Sequence, residues 1–134
     1  NVTSITEIAK AAEAGGADGL SLINTITGMK IDVEKMTFAL ANKTGGMSGR
    51  AVHPVAVRMV YEVSHAVKLP IIGMGGVFTA EDALELILAG ATMVSVGTAN
   101  FTNPHATIDI IDGIEAYMKR KNITEIKSLI GAIK

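Results

Sequence analysis

Leu69–Asp82, LPIIGMGGVFTAED, runs a short apolar stretch into two adjacent glycines and then into a helix-opening signal. An apolar run of this length, bounded by turn residues, reads as a strand buried on both faces. Thr79 supplies an N-cap for the helix that follows, Ala83, Leu84, Ile87 and Leu88 form its buried face, and Gly90 stops it. The strand TMVSV comes next. The same plan stands upstream: SITEIAKAAEAGG places Ser4 and Glu7 at capping-box spacing, puts Ile5, Ile8, Ala9 and Ala12 on one face, and ends at Gly15-Gly16 before a strand over 19–24. AGGADGLSLINT and LAGATMVSVGT align as a faint internal repeat. Between the copies, a helix opens near Pro54 and extends to about Val67. A closing helix over 108–119 and a capped segment over 124–134 complete the chain. Helices of ten or more residues alternating with short apolar strands predict parallel strands covered by helices, an α/β architecture.

The composition allows one sizeable core. The chain has 134 residues, of which 49% are hydrophobic, and its 12 basic and 13 acidic residues leave a formal charge of -1. No run of like charge offers nucleic acid or an anionic membrane an electrostatic handle. Nothing in the chain approaches the ~18 apolar residues of a membrane span, and no basic-then-apolar leader opens it, so the expected compartment is the cytoplasm. The absence of cysteine excludes disulfides, thiolate metal sites and a cysteine nucleophile within this chain. The chain starts at Asn1 rather than methionine, and a processed, truncated or excised piece is the expectation.

Thr25–Gly49 breaks the rhythm. It has no sustained period, carries four glycines and is too long for a plain connection inside a compact domain. Its alternating middle, MKIDVEKMTFAL, predicts a short hairpin that would leave TGGMSG beside the next helix start. Each predicted strand ends in small or polar residues: Asn24-Thr25, then Gly75-Gly76, then Gly97-Thr98. Strand C-termini carry the site in open α/β sheets and in (β/α)8 barrels alike. Amides freed by glycine and aimed from helix starts suit a phosphate dianion, so these ends read as a phosphate cradle. Glycines after strands are also ordinary turn formers; two successive glycine-bearing ends favour the cradle. Neither a P-loop nor a Rossmann fingerprint is present. His53 at a helix start, His65 at a helix end and His105 after a proline have no ligand-like spacing, and no metal site is expected. Lys30, Lys43 and Arg50 read as solvated surface, with an anionic substrate or a partner as the alternative. The residues alone supply no acid, base or nucleophile.

Four separated motifs, LSLINTITGMKIDVE, TGGMSGRAVHPVAVRMVYEV, LPIIGMGGVFTAEDALELILAGA and VGTANFTNP, occur in an order that resembles the C-terminal half of the catalytic subunit of class 1B dihydroorotate dehydrogenases. The resemblance spans essentially the whole chain. It implies the C-terminal half of a TIM (β/α)8 barrel, residues 1–134 forming one partial domain with roughly strands six to eight. It implies an FMN enzyme that oxidises dihydroorotate to orotate in pyrimidine biosynthesis. FMN contacts would fall on Ile23, Gly49, Gly75, Gly76, Gly97 and Thr98, and dihydroorotate contacts on Asn24 and Thr25. The family's proton-abstracting cysteine and a flavin-contacting lysine would belong to the missing N-terminal half, leaving no catalytic residue here and an inactive isolated chain. The resemblance further implies an oligomeric parent and a partner subunit that carries FAD and an iron-sulfur cluster and passes electrons to NAD. A relative of dihydropyrimidine dehydrogenase, a non-redox phosphate-binding lyase or synthase, and a non-enzymatic assembly module are the alternatives.

Overall fold

In the computed structural model, which describes residues 1–133, the helix-strand plan is present with shorter strands than the sequence predicts. Helix α1 (Ile5–Ala14) starts at Ser4, whose hydroxyl accepts the Glu7 amide, and stops at Gly15. Strand β1 (Leu20–Leu22) follows. Thr25–Gly49 then forms a two-part antiparallel excursion. In it β2 (Ile26–Met29) pairs with β5 (Thr44–Met47), and β3 (Ile31–Asp32) pairs with β4 (Thr37–Phe38) beyond them. The predicted hairpin is therefore the tip of a longer ribbon, and TGGM is one of its strands rather than a free loop. A 3-10 turn, Arg50–Val52, leads into α2 (His53–Ser64). After β6 (Ile71–Met74) come α3 (Ala80–Ala89), β7 (Met93–Ser95), the single turn α4 (Ala99–Thr102) and α5 (Ala106–Lys121).

Strands β1, β6 and β7 form one parallel sheet in that order, with Leu20 opposite Ile71 and Ile72 opposite Met93. Helices α2 and α3 cover β6, and the core gathers there: Ala56, Val60, Val63, Ile71, Ala83 and Leu86 are nearly or wholly excluded from solvent. The sheet thus has a well-buried centre and two outer strands, each with one partner among the described residues.

Three predicted boundaries shift. Helix α2 ends at Ser64 rather than near Val67, because the Ala66 and Val67 amides both close back on the Val63 carbonyl while Val67 stays buried as a turn residue. Helix α5 begins at Ala106, two residues early, where Asn103 gives its carbonyl to the Ala106 amide and its side-chain oxygen to the His105 amide. The predicted segment 124–134 holds only the 3-10 turn Ile126–Leu129, and Lys134 lies outside the described residues. No helix among the described residues is long and apolar enough to cross a membrane.

Candidate functional site

The C-terminal ends of all three parallel strands open on one pocket of about 160 Å³. Ile23, Asn24 and Thr25 reach it from the end of β1, Gly75 and Gly76 from β6, and Gly97 and Thr98 from β7. Ser48 and Gly49, from the turn after β5, close the remaining side. All eight residues singled out in the sequence line this one pocket, although up to 75 positions separate them. A larger groove of about 540 Å³ runs between α2 and α3, but Pro54, Val57, Tyr61, Leu88 and Ala89 make it largely apolar, and it lies away from the strand ends.

The lining combines glycines and Ser, Thr and Asn residues with apolar Ile23, Val52 and Met74, and holds no Lys or Arg among the described residues. Gly75 (φ +131°) and Gly76 (φ +68°) take conformations that L side chains rarely adopt. A Cβ on Gly76 would also lie 2.7 Å from the Gly49 carbonyl oxygen and 2.8 Å from His53 Cβ. Among the described residues, the Gly75, Gly76, Gly97 and Thr98 amides meet no protein acceptor. Unpaired amides on residues that line one concavity can serve as an anion-binding nest, so these residues fit a phosphate. Thr98 Oγ1 donates to Ser48 Oγ at 3.0 Å and ties the β7 end to the ribbon.

Helix starts contribute less than the sequence predicts. The N-terminus of α3 is closed by its own capping box: Asp82 accepts the Phe78 amide at 2.8 Å and the Thr79 amide at 2.9 Å, while Thr79 Oγ1 accepts the Asp82 amide. Burial pushes the Asp82 carboxyl up, but those two amides, the Thr79 hydroxyl and neighbouring His53 together hold it below its ordinary value. Three residues separate Gly76 from the first residue of α3, and α4 is a single turn. The cradle is a nest of loop amides rather than a helix terminus.

Asn24 and Thr25 form a self-organised pair. Asn24 Oδ1 accepts the Thr25 amide at 2.7 Å and its hydroxyl at 3.3 Å, while the Asn24 Nδ2 hydrogens meet no acceptor among the described residues. Asn1 brackets the pair: its Nδ2 donates to the Thr25 carbonyl and its Oδ1 accepts the Thr27 amide. Gly46 faces Thr25 so closely that a Cβ there would collide with the threonine side chain. Lys30, Lys43 and Arg50 stay off the pocket; Lys43 lies over Phe38, and Arg50 lies over Phe78 beside Asp82.

From the sequence, His53 reads as an ordinary helix-start residue. In the structure it is buried behind the glycine turn, with Nδ1 2.8 Å from the Gly75 carbonyl oxygen. The only local signal was a histidine directly before Pro54 at a helix start.

The family model for dihydroorotate dehydrogenase matches residues 1–118. The chain is 69% identical over 134 residues to the dihydroorotate dehydrogenase B (NAD(+)) catalytic subunit of Lachnoclostridium phytofermentans, covering 100% of this chain and 45% of that protein. It is 61% identical over 133 residues to the protein of the same name from Alkaliphilus metalliredigens, covering 99% and 44%. A crystal structure of DHODH from Eimeria tenella in complex with ferulenol superimposes with a TM-score of 0.79 at 27% identity, covering 96% of this chain and 34% of that one. The chain therefore spans less than half the length of the curated relatives it matches.

Proposed function

The chain belongs to the dihydroorotate dehydrogenase family, and from that premise we propose that it is the phosphate-holding half of an FMN site in an enzyme that oxidises dihydroorotate to orotate. One observation carries the reading: three strand ends and the β5 turn converge on a pocket whose glycine amides lack partners among the described residues. Gly75, Gly76, Gly97 and Thr98 would hold the phosphate through their backbone N–H groups, without a cationic side chain. Ile23 and Gly49 border the space beside it and would meet the rest of the flavin. FMN bound there would accept the hydride that leaves dihydroorotate.

Asn24 has its side-chain oxygen committed to Thr25, so it presents Nδ2 donors to a ligand. Donors alone suit the carboxylate and ring carbonyl oxygens of dihydroorotate. The pocket is smaller than the ~300–1,000 Å³ usual for a cofactor-sized ligand, which supports a site completed by the other half of a barrel. That half, of which this chain would contribute roughly strands six to eight as one partial domain, would supply the proton-abstracting cysteine. The relatives' names, with NAD(+) and 'catalytic subunit', support NAD as the final acceptor and a second subunit beside this one; FAD and an iron-sulfur cluster would sit on that second subunit.

The test is the full-length protein, purified and examined for flavin absorbance, then assayed with dihydroorotate and dihydrouracil, with and without the electron-transfer subunit. A yellow protein that oxidises dihydroorotate and reduces NAD only with the partner is the expected result. A colourless protein would overturn the flavin assignment, and turnover of dihydrouracil alone would overturn the substrate.

A further inference from the structure

Gly75 and Gly76 have no side chains to fix them, and their amides make no bond to the described residues. Among the described residues, the pair makes one hydrogen bond to the rest of the chain, from His53 Nδ1 to the Gly75 carbonyl oxygen at 2.8 Å. A carbonyl oxygen can only accept, so Nδ1 carries a proton. His53 Nε2 is then the buried side-chain nitrogen with no hydrogen-bond partner. It faces the start of α3, 3.5 Å from Glu85 Oε2 and 3.9 Å from Asp82 Oδ1, while Arg50 sits 3.9 Å from the other Asp82 oxygen. The ring is therefore wedged between an acidic helix start and the glycine turn. It does not line the pocket; it stands behind it.

We propose that His53 is the positioning residue of the anion cradle: its Nδ1–H holds the Gly75 carbonyl outward, and so keeps the Gly75 and Gly76 amides aimed at the phosphate. A turn of two glycines has many alternative conformations, and one buried hydrogen bond at 2.8 Å selects among them. The proposal rests on the FMN-phosphate reading of the pocket. It concerns this chain's own residues and predicts a defect confined to the phosphate end of the ligand.

Riboflavin separates phosphate binding from flavin-ring binding, because it is FMN without the phosphate. Full-length protein is stripped of flavin and retitrated with each ligand as wild type, His53→Leu and His53→Asn. The two substitutions have nearly the same size, but only Asn can place an amide N–H near the Nδ1 position. Losing one buried hydrogen bond predicts about tenfold weaker FMN binding for His53→Leu. Riboflavin binding should move less than about twofold and His53→Asn should recover FMN affinity to within about threefold, since the ring pocket and the donor are each retained. Equal weakening toward both flavins, or unchanged FMN affinity in His53→Leu, overturns the proposal. If the leucine variant does not fold, His53→Ala takes its place as the variant lacking the donor, with the same outcomes. Wild-type protein that binds riboflavin as tightly as FMN overturns the phosphate reading itself. A wild-type preference for FMN that survives every substitution overturns only the role of His53.

Discussion

Gly76 and Gly97 both border the pocket, yet they are glycines for different reasons. Gly76 combines a positive φ of +68° with a close approach to the Gly49 carbonyl and to His53, whereas a Cβ on Gly97 would meet nothing within 4 Å. Gly76→Ala must strain or displace the turn, at a cost of about 1–3 kcal/mol in stability, and should abolish the preference for FMN. Gly97→Ala should leave the melting temperature nearly unchanged while the added methyl enters the space beside the β7 end, weakening FMN about tenfold or more. Thermal melts run beside flavin titrations check both; equal destabilisation by the two variants would contradict the distinction. The glycines and the Asn-Thr pair that line the pocket were legible because they stand at strand ends, a local pattern, whereas Ile23 and Gly49 came only from the family resemblance. His53 was not legible, since its partner Gly75 lies 22 positions away and nothing near His53 in sequence points to it.

At the scale of elements, the start of α3 shows how a cap can compete with a ligand for the same amides. Asp82 takes the Phe78 and Thr79 amides, which ties the loop after Gly76 to the helix and keeps the helix terminus from facing the pocket. Asp82→Ala should cost about 1–2 kcal/mol at neutral pH. The carboxyl titrates below its ordinary 3.8 in the folded protein, so the folded state binds that proton less readily than the unfolded chain. Its stabilisation is complete above the unfolded value and is lost as pH falls through the lower folded one. Denaturant titrations of wild type and variant should therefore diverge at neutral pH and converge in acid; a constant gap would refute the carboxylate's role. Caps also explain which elements the sequence disclosed. Ser4, Thr79 and the stopping glycines located α1 and α3 because caps are local, whereas α2 overran because buried Val67 continues the helical period beyond the last helical residue. The β2–β5 ribbon escaped notice since Thr44–Met47 is half glycine, and its pairing comes from partners more than a dozen residues away.

For the molecule as a whole, the decisive feature is an unclosed sheet. Strands β1 and β7 each pair only with β6 among the described residues, and Met93 on β7 is 54% exposed. Beside β1, a hollow of about 100 Å³ is lined by Ile5, Ile8, Ala9 and Leu20, a second apolar surface without cover. Three parallel strands cannot curve into a closed barrel, and unpaired strand edges are templates for association. The same geometry would limit the proposed ligand: amides could grip a phosphate from one side, but a flavin ring bound there would have no opposite wall among the described residues. Expressed as residues 1–134 alone, the chain should sediment as concentration-dependent oligomers, retain no flavin through gel filtration and show no dihydroorotate turnover. Co-expression with a polypeptide supplying the N-terminal half of the barrel should give a single sedimenting species that keeps its flavin, because pairing both edges and building the far wall are one event. A stable monomer that holds FMN by itself would mean that the cradle is sufficient and that the open edges are blocked by some means other than barrel closure.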